Sequence, residues 1–148
     1  MTGQSVSRKI AASMLASLFA FWPWMAAAAD SPTPPRGLVH ELLAKDLLGV
    51  SGKEVRMLTV EYLAGGATLP HRHNAQVFVY VLEGSVRMQV QGMPEVTLGA
   101  GETFYEGPDD IHTVAANAST THTAKIVVFI VKDKAAPVST PVAPSVQK

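Results

Sequence analysis

Between residues 38 and 134 the apolar positions fall into short runs cut by glycine, proline and polar turns. Residues 55–63 (VRMLTVEYL) are rich in β-formers and end at Gly65-Gly66. Residues 77–82 (VFVYVL) are continuously apolar, the pattern of a strand covered on both faces. Glu83-Gly84-Ser85 then turns the chain into residues 86–90 (VRMQV), where Arg87 and Gln89 alternate with apolar side chains. Residues 91–94 form another turn before a run at 96–98, and Gly99-Ala100-Gly101 a third. Runs at 103–105 and 111–115 flank Gly107-Pro108-Asp109-Asp110, and 117–121 turns again before KIVVFIV at 125–131, the expected final buried strand. Strands of this length and spacing predict an all-β sandwich or barrel. Residues 39–48 fit an extra strand or a short helix equally well, and no repeat of solenoid length is present. Met57, Phe78, Tyr80, Met88, Phe104 and Phe129 are the expected apolar core and the material for any apolar pocket wall.

Both ends of the chain depart from this pattern. Arg8 and Lys9 precede an apolar stretch from Ile10 to Met25, and Ala27-x-Ala29 offers a small-residue cleavage site before Asp30. Residues 1–29 therefore read as a secretory signal peptide; the competing reading, an uncleaved anchor, is opposed by Pro23 and the alanine run. A periplasmic or secreted location follows, with 30–37 as a linker and 38–133 as the folded domain. Residues 134–148, rich in Pro, Ala, Val and Ser, read as a disordered tail.

Loss of residues 1–29 removes Arg8, Lys9 and both tryptophans, Trp22 and Trp24, and leaves ten basic against twelve acidic residues in 119. Such a balance, without a basic run, gives no electrostatic footprint for nucleic acid or for anionic membrane beyond the signal segment. The chain has no cysteine, so disulfides, thiol nucleophiles and thiolate ligands are excluded.

The candidate chemistry lies in two glycine-punctuated segments, GGATLPHRHNAQVFVYVLEG (65–84) and GETFYEGPDDIHTVAAN (101–117). A His-x-His pair on a strand turns both imidazoles to one face. His71 and His73 joined by His112 from a neighbouring strand would supply three nitrogens to one metal. The plain alternative is histidines that pack or hydrogen-bond in a barrel mouth.

The two segments resemble the two motifs of the cupin superfamily. The first maps onto Gly65, His71, His73 and Gly84, and the second onto Gly101 and His112, with Asn117 one residue late. The resemblance implies a double-stranded β-helix, or jelly-roll, barrel of one domain, which often forms homodimers and holds its metal inside. It also marks a departure, because the family's glutamate position falls on Val77, which cannot ligate. Gln76 is adjacent and would reach the site only if the strand bulged at Asn74-Ala75; it stands as a possible fourth ligand. The family's Pro-x-Gly turn reads Gly107-Pro108-Asp109 here, with altered residues at unchanged length.

Three imidazoles without a carboxylate suit Fe(II), Zn(II), Cu(II) or Ni(II) better than Mn(II). Tyr105 and Glu106 precede the turn to His112 and are the weak catalytic candidates. Glu106 is a possible acid–base group or replacement carboxylate, although a solvated glutamate is the commoner fate of the residue type. Arg72 is expected on the opposite face, His40 and His122 outside the site, and Asp109 and Asp110 in turn bonds. The expected function is an exported metal-binding cupin acting on a small organic molecule as oxygenase, hydrolase or isomerase. The alternatives are a small-ligand-binding or sensing module without chemistry, and a remnant that binds metal adventitiously.

Overall fold

Glycine- and turn-bounded runs of β-branched residues leave little material for helices, and every regular element is a strand in the computed structural model, which describes residues 34–143. The signal-like segment and residues 144–148 lie outside the described residues. The strands are β1 Leu38–Asp46, β2 Lys53–Tyr62, β3 Ala67–Thr68, β4 His71–Arg72, β5 Gln76–Glu83 and β6 Ser85–Val90, then β7 Val96–Gly99, β8 Thr103–Glu106, β9 His112–Asn117, β10 Ala124–Asp133 and β11 Thr140–Pro141. One sheet runs β1-β2-β10-β5-β8, the other β11-β4-β9-β6-β7, with β3 also paired to β9. The ladders are antiparallel, as in the expected double-stranded β-helix.

Period-two alternation builds the core between the sheets. From β10, Ala124, Ile126, Val128 and Ile130 point inward, against Leu58, Val60 and Tyr62 of β2 and Val77, Val79 and Val81 of β5. Val86, Met88 and Ala115 close it from the second sheet. Each fully buried side chain of this size contributes on the order of 1.5–3 kcal/mol. Gly84 makes the tight β5–β6 turn at φ 72°, and a Cβ there would lie 2.6 Å from the Thr123 carbonyl oxygen. No other residue fits that turn.

Three expectations need correction. Residues 77–82 are covered on one face only: Phe78, Tyr80 and Leu82 remain 45%, 43% and 41% exposed. A continuous apolar run cannot reveal which alternate set faces the core, and an antiparallel sheet can leave one face to solvent. Phe78 packs instead on Tyr105 across the outer face, ring centroids 5.3 Å apart, and Phe129 is 40% exposed. Of the six residues assigned to the core, Met88 is buried there and Phe104 packs against it. Within residues 39–48, the part up to Asp46 belongs to the edge strand β1 and the last two residues begin the turn beyond it, so no helix forms.

The third correction concerns the tail. Beyond β10 the chain turns back: Val138 packs against the core, and β11 pairs with β4. Residues 134–143 therefore carry structure that their composition hides, because two residues of β pairing and one apolar contact leave no periodicity to detect.

Candidate metal centre

β4 and β9 are cross-strand neighbours, with His71 opposite His112. β9 carries a bulge here: Gln89 pairs with Val114 and Val90 with His112, leaving Thr113 as the extra residue. The bulge lets His112, Ala115 and Asn117 all turn inward, which strict alternation forbids, and accounts for Asn117 standing one residue late. Thr113 turns its hydroxyl to the Gln89 carbonyl and side-chain oxygens, at 3.2 and 3.1 Å.

β4 ends at Arg72, so His73 lies just past the strand. Asn74 follows at φ 47°, a left-handed conformation that asparagine tolerates, and redirects the chain from one sheet into the other. His71 and His73 still converge, ring centroids 4.8 Å apart, while Arg72 is exposed as expected. The break at Asn74-Ala75 does not bring Gln76 inward: it is exposed, and Val77 is the buried neighbour. Gln76 is therefore not a fourth ligand. Tyr105, 51% exposed on the outer face, is likewise away from the histidines.

Glu106 overturns the expectation of a solvated loop residue. It ends β8 on the inner face, 2% exposed, paired in register with Val77. Its Oε1 lies 3.1 Å from His112 Nδ1 and its Oε2 3.9 Å from His73 Nε2. Phe104, two residues earlier on the same face, stacks on His112 with centroids 5.8 Å apart.

The hydrogen bonds dictate the tautomers. His71 Nδ1 is 2.8 Å from the Leu69 carbonyl oxygen and His73 Nδ1 is 2.6 Å from that of Val138. A carbonyl only accepts, so both Nδ1 atoms carry protons and, in the neutral rings, both Nε2 atoms carry lone pairs. Those two Nε2 atoms are 3.1 Å apart. Two bare acceptors do not share a bond at that distance unless a proton or a metal lies between them. His112 Nδ1 donates to Glu106, and the buried His112 Nε2 and Glu106 Oε2 have no partner. Four acceptor atoms of one cluster, its His71 and His112 rings 5.2 Å apart between centroids, thus lack a donor, and nitrogen and carboxylate acceptors are what a cation takes. Among the described residues no three His, Asp or Glu side chains are arranged as they would be around a metal ion, so holding one requires these side chains to shift.

Charge follows the same logic. Burial alone would raise the Glu106 pKa, but the His112 hydrogen bond and the nearby imidazoles outweigh it and hold the carboxyl below its ordinary value. Burial depresses the His71 pKa, and neighbouring His73 and His112 add to this against the Leu69 hydrogen bond. A deprotonated carboxylate and a neutral imidazole are the forms that ligate.

The cluster opens onto a cavity of about 200 Å³ between the sheets, with walls that include Leu58, Val60, Val79, Val128 and Ile130. Tyr62 and Thr68 add a hydroxyl pair at 3.1 Å, and burial raises the Tyr62 pKa, which keeps the phenol protonated. No lysine or arginine lines this cavity among the described residues. His40 and His122 lie outside it, and Asp110 makes the expected turn bond to the Gly107 amide at 2.7 Å. Sequence reasoning undervalued Glu106, whose usable signal was its even spacing from Phe104 in a strand; the Val138 carbonyl left no signal at all.

The sequence model of the cupin domain matches residues 58–130. No curated protein matches the sequence significantly. Among solved structures, the DMSP lyase DddQ from Ruegeria pomeroyi DSS-3 is similar with a TM-score of 0.61 at 19% identity, over 76% of this chain and 54% of that one. A cupin domain from Bordetella pertussis Tohama I gives a TM-score of 0.55 at 18% identity, over 69% and 99% of the two chains. An oxalate oxidase gives 0.57 at 25% identity, over 82% of this chain and 63% of that one. The chain thus spans about half the length of the lyase and under two thirds of the oxidase. With both glycine–histidine segments, the jelly-roll sheets and the family match in agreement, the chain belongs to the cupin superfamily.

Proposed function

We propose that this protein is an exported, metal-dependent cupin enzyme that acts on a small, weakly polar organic molecule in the barrel cavity. His71, His73, His112 and Glu106 are the groups that would hold the metal. The observation that carries this reading is that one cluster of packed rings holds the unsatisfied acceptors His112 Nε2 and Glu106 Oε2 together with the paired Nε2 atoms of His71 and His73. When bound, such a metal supplies Lewis acidity and open coordination positions. Preference against Mn(II) rested on an all-nitrogen set, and the buried Glu106 carboxylate removes that ground; Fe(II), Zn(II), Cu(II), Ni(II) and Mn(II) all suit three nitrogens and one oxygen.

The cavity narrows the substrate. About 200 Å³ is below the ~300–1,000 Å³ of sites for drug-sized ligands, and its walls are largely aliphatic. With a buried carboxylate and no lysine or arginine in the wall, a free anion finds no partner except the metal. The Tyr62–Thr68 hydroxyl pair can orient one polar group of the substrate by hydrogen bonding. Export is supported by the signal-like residues 1–29.

Metal analysis of untagged mature protein tests this reading, with about one ion per chain expected of a single site. Sub-stoichiometric metal that is unchanged by His73→Ala would overturn it. A non-catalytic sensor is the second reading, favoured by the largely apolar wall of the cavity. Thermal stabilisation by a ligand that is never consumed would decide for it.

A further inference from the structure

We propose that residues 134–142 form a strap belonging to the metal centre, in which the Val138 carbonyl positions His73 and Lys132 pins the strap to the barrel. The affinity arm of the argument rests on His73 being a ligand; the positioning arm does not.

Lys132 is the last inward side chain of β10 and is 2% exposed. Its ammonium reaches Glu54 at 2.7 Å, opposite it on β2, and the carbonyl oxygens of Asp133 at 2.9 Å and Ala136 at 2.6 Å. A buried ammonium has three protons to satisfy, and Glu54 takes one. The carbonyl of Asp133 at the end of β10 and that of Ala136 in the strap take the others, so the seated strap completes the partners of the buried Lys132.

From this anchor the strap runs across the site. The Ala136 amide closes a turn on Asp133 at 3.0 Å, and Val138 and Ser139 enter the cavity wall. Thr140 pairs with Arg72 and Pro141 with His71, and the Val142 amide donates to the Pro70 carbonyl at 3.0 Å. The strap therefore brackets the segment that carries both histidines. His73 follows the end of β4 and precedes the left-handed Asn74, so no ladder position orients it. Its Nδ1–H bond to Val138, 65 residues away in sequence, supplies that orientation and aims Nε2 at His71 and Glu106. A partner of this kind fixes ring direction and tautomer in metal sites.

The test compares the full chain with chains ending after Ala136 and after residue 143. Long-range proton–nitrogen NMR of the metal-free proteins reads the His73 tautomer, and Co(II) titration reads affinity. The full chain and the 143-residue chain should hold a single Nδ1–H tautomer. The chain ending at Ala136 should lose that preference and bind Co(II) about 10–100-fold more weakly. Lys132→Met in the full chain should move the His73 ring signals in the same direction, although Lys132 does not touch His73. Should the shortened chain fail to fold, Val142→Pro removes the bond to Pro70 and carries the same expectation at smaller amplitude. Unchanged His73 signals together with unchanged Co(II) affinity in a folded variant lacking the strap would overturn the proposal. A strap-dependent tautomer in a full chain that binds no Co(II) would keep the positioning role and reject the metal reading.

Discussion

Val77 and Glu106 face each other across the β5–β8 ladder, both buried on the cavity side. The family motif places a carboxylate where Val77 stands, and this chain carries one on the adjoining strand at the paired position. Cross-strand partners have Cβ atoms only about 4.5–5.5 Å apart, so a carboxylate moved by one strand still reaches the same histidines. Glu106→Gln should keep the shape of the site and weaken metal binding by about tenfold or more, judged from the scale of outer-shell changes. Returning the carboxylate to the motif position with Val77→Glu in a Glu106→Val background should recover much of that loss. If calorimetric titration finds the double variant no better than Glu106→Val alone, the two positions are not equivalent.

Removal of the candidate ligands should separate cleanly from removal of their outward-facing neighbours. His71→Ala, His73→Ala and His112→Ala should each reduce bound metal well below one ion per chain. Gln76→Ala and Tyr105→Phe should leave it unchanged, because both side chains are exposed on the outer face. Elemental analysis after equilibration with the same metal buffer makes the comparison; loss of metal in the Gln76 variant would contradict an outward-facing Gln76.

Much of the barrel was legible because its strands are short, glycine-bounded and rich in β-branched residues. The runs at 125–131 and 86–90 lie within β10 and β6 as observed. The histidines were legible because spacing alone identifies them. What stayed hidden depends on register. Glu106 shares the strand parity of Phe104, but only the pairing of β8 with β5 shows that this face is the inner one. The Thr113 bulge is invisible until His112 and Ala115 are found on one face. Continuous apolar runs hid which residues face outward, so Phe78, Tyr80 and Phe129 were misassigned to the core. The strap was missed because a carbonyl has no sequence signature.

Acid should destabilise the metal-free protein in two stages of the same sign. His71 is held below its ordinary value of 6.5 by burial, so below that pH the unfolded chain binds a proton the folded chain resists. Glu106 is held below 4.5 because the His112 bond and neighbouring imidazoles outweigh its burial, and its contribution is lost as pH falls through its lowered folded value. In both cases the unfolded state takes up more protons, so stability declines with falling pH. Melting temperature measured from about pH 8 to pH 4 should be highest on the alkaline side, begin to drop near the ordinary imidazole range and drop further in the carboxylate range. A flat profile through the imidazole range would contradict the buried, neutral His71.

Asn117 tests whether the last residue of the second motif serves chemistry or architecture. Its side-chain amide donates to the carbonyl oxygens of Tyr62, Leu63 and His122 at 3.2, 3.0 and 2.7 Å, and its Oδ1 accepts from the Ser119 amide at 2.9 Å. It is 4% exposed and joins the end of β2 to the loop before β10. Asn117→Ala strips those carbonyls of their donor, and an unsatisfied buried group costs about 1–3 kcal/mol. Asn117→Asp removes the donor as well and turns a carboxylate toward three carbonyl oxygens, so it should be the more destabilising of the two. Both should lower the urea midpoint at unchanged slope, while metal affinity, measured below the unfolding transition, stays within about twofold of the parent, because no bond of Asn117 reaches the histidine cluster. A large affinity loss in a variant of normal stability would instead place Asn117 in the working part of the site.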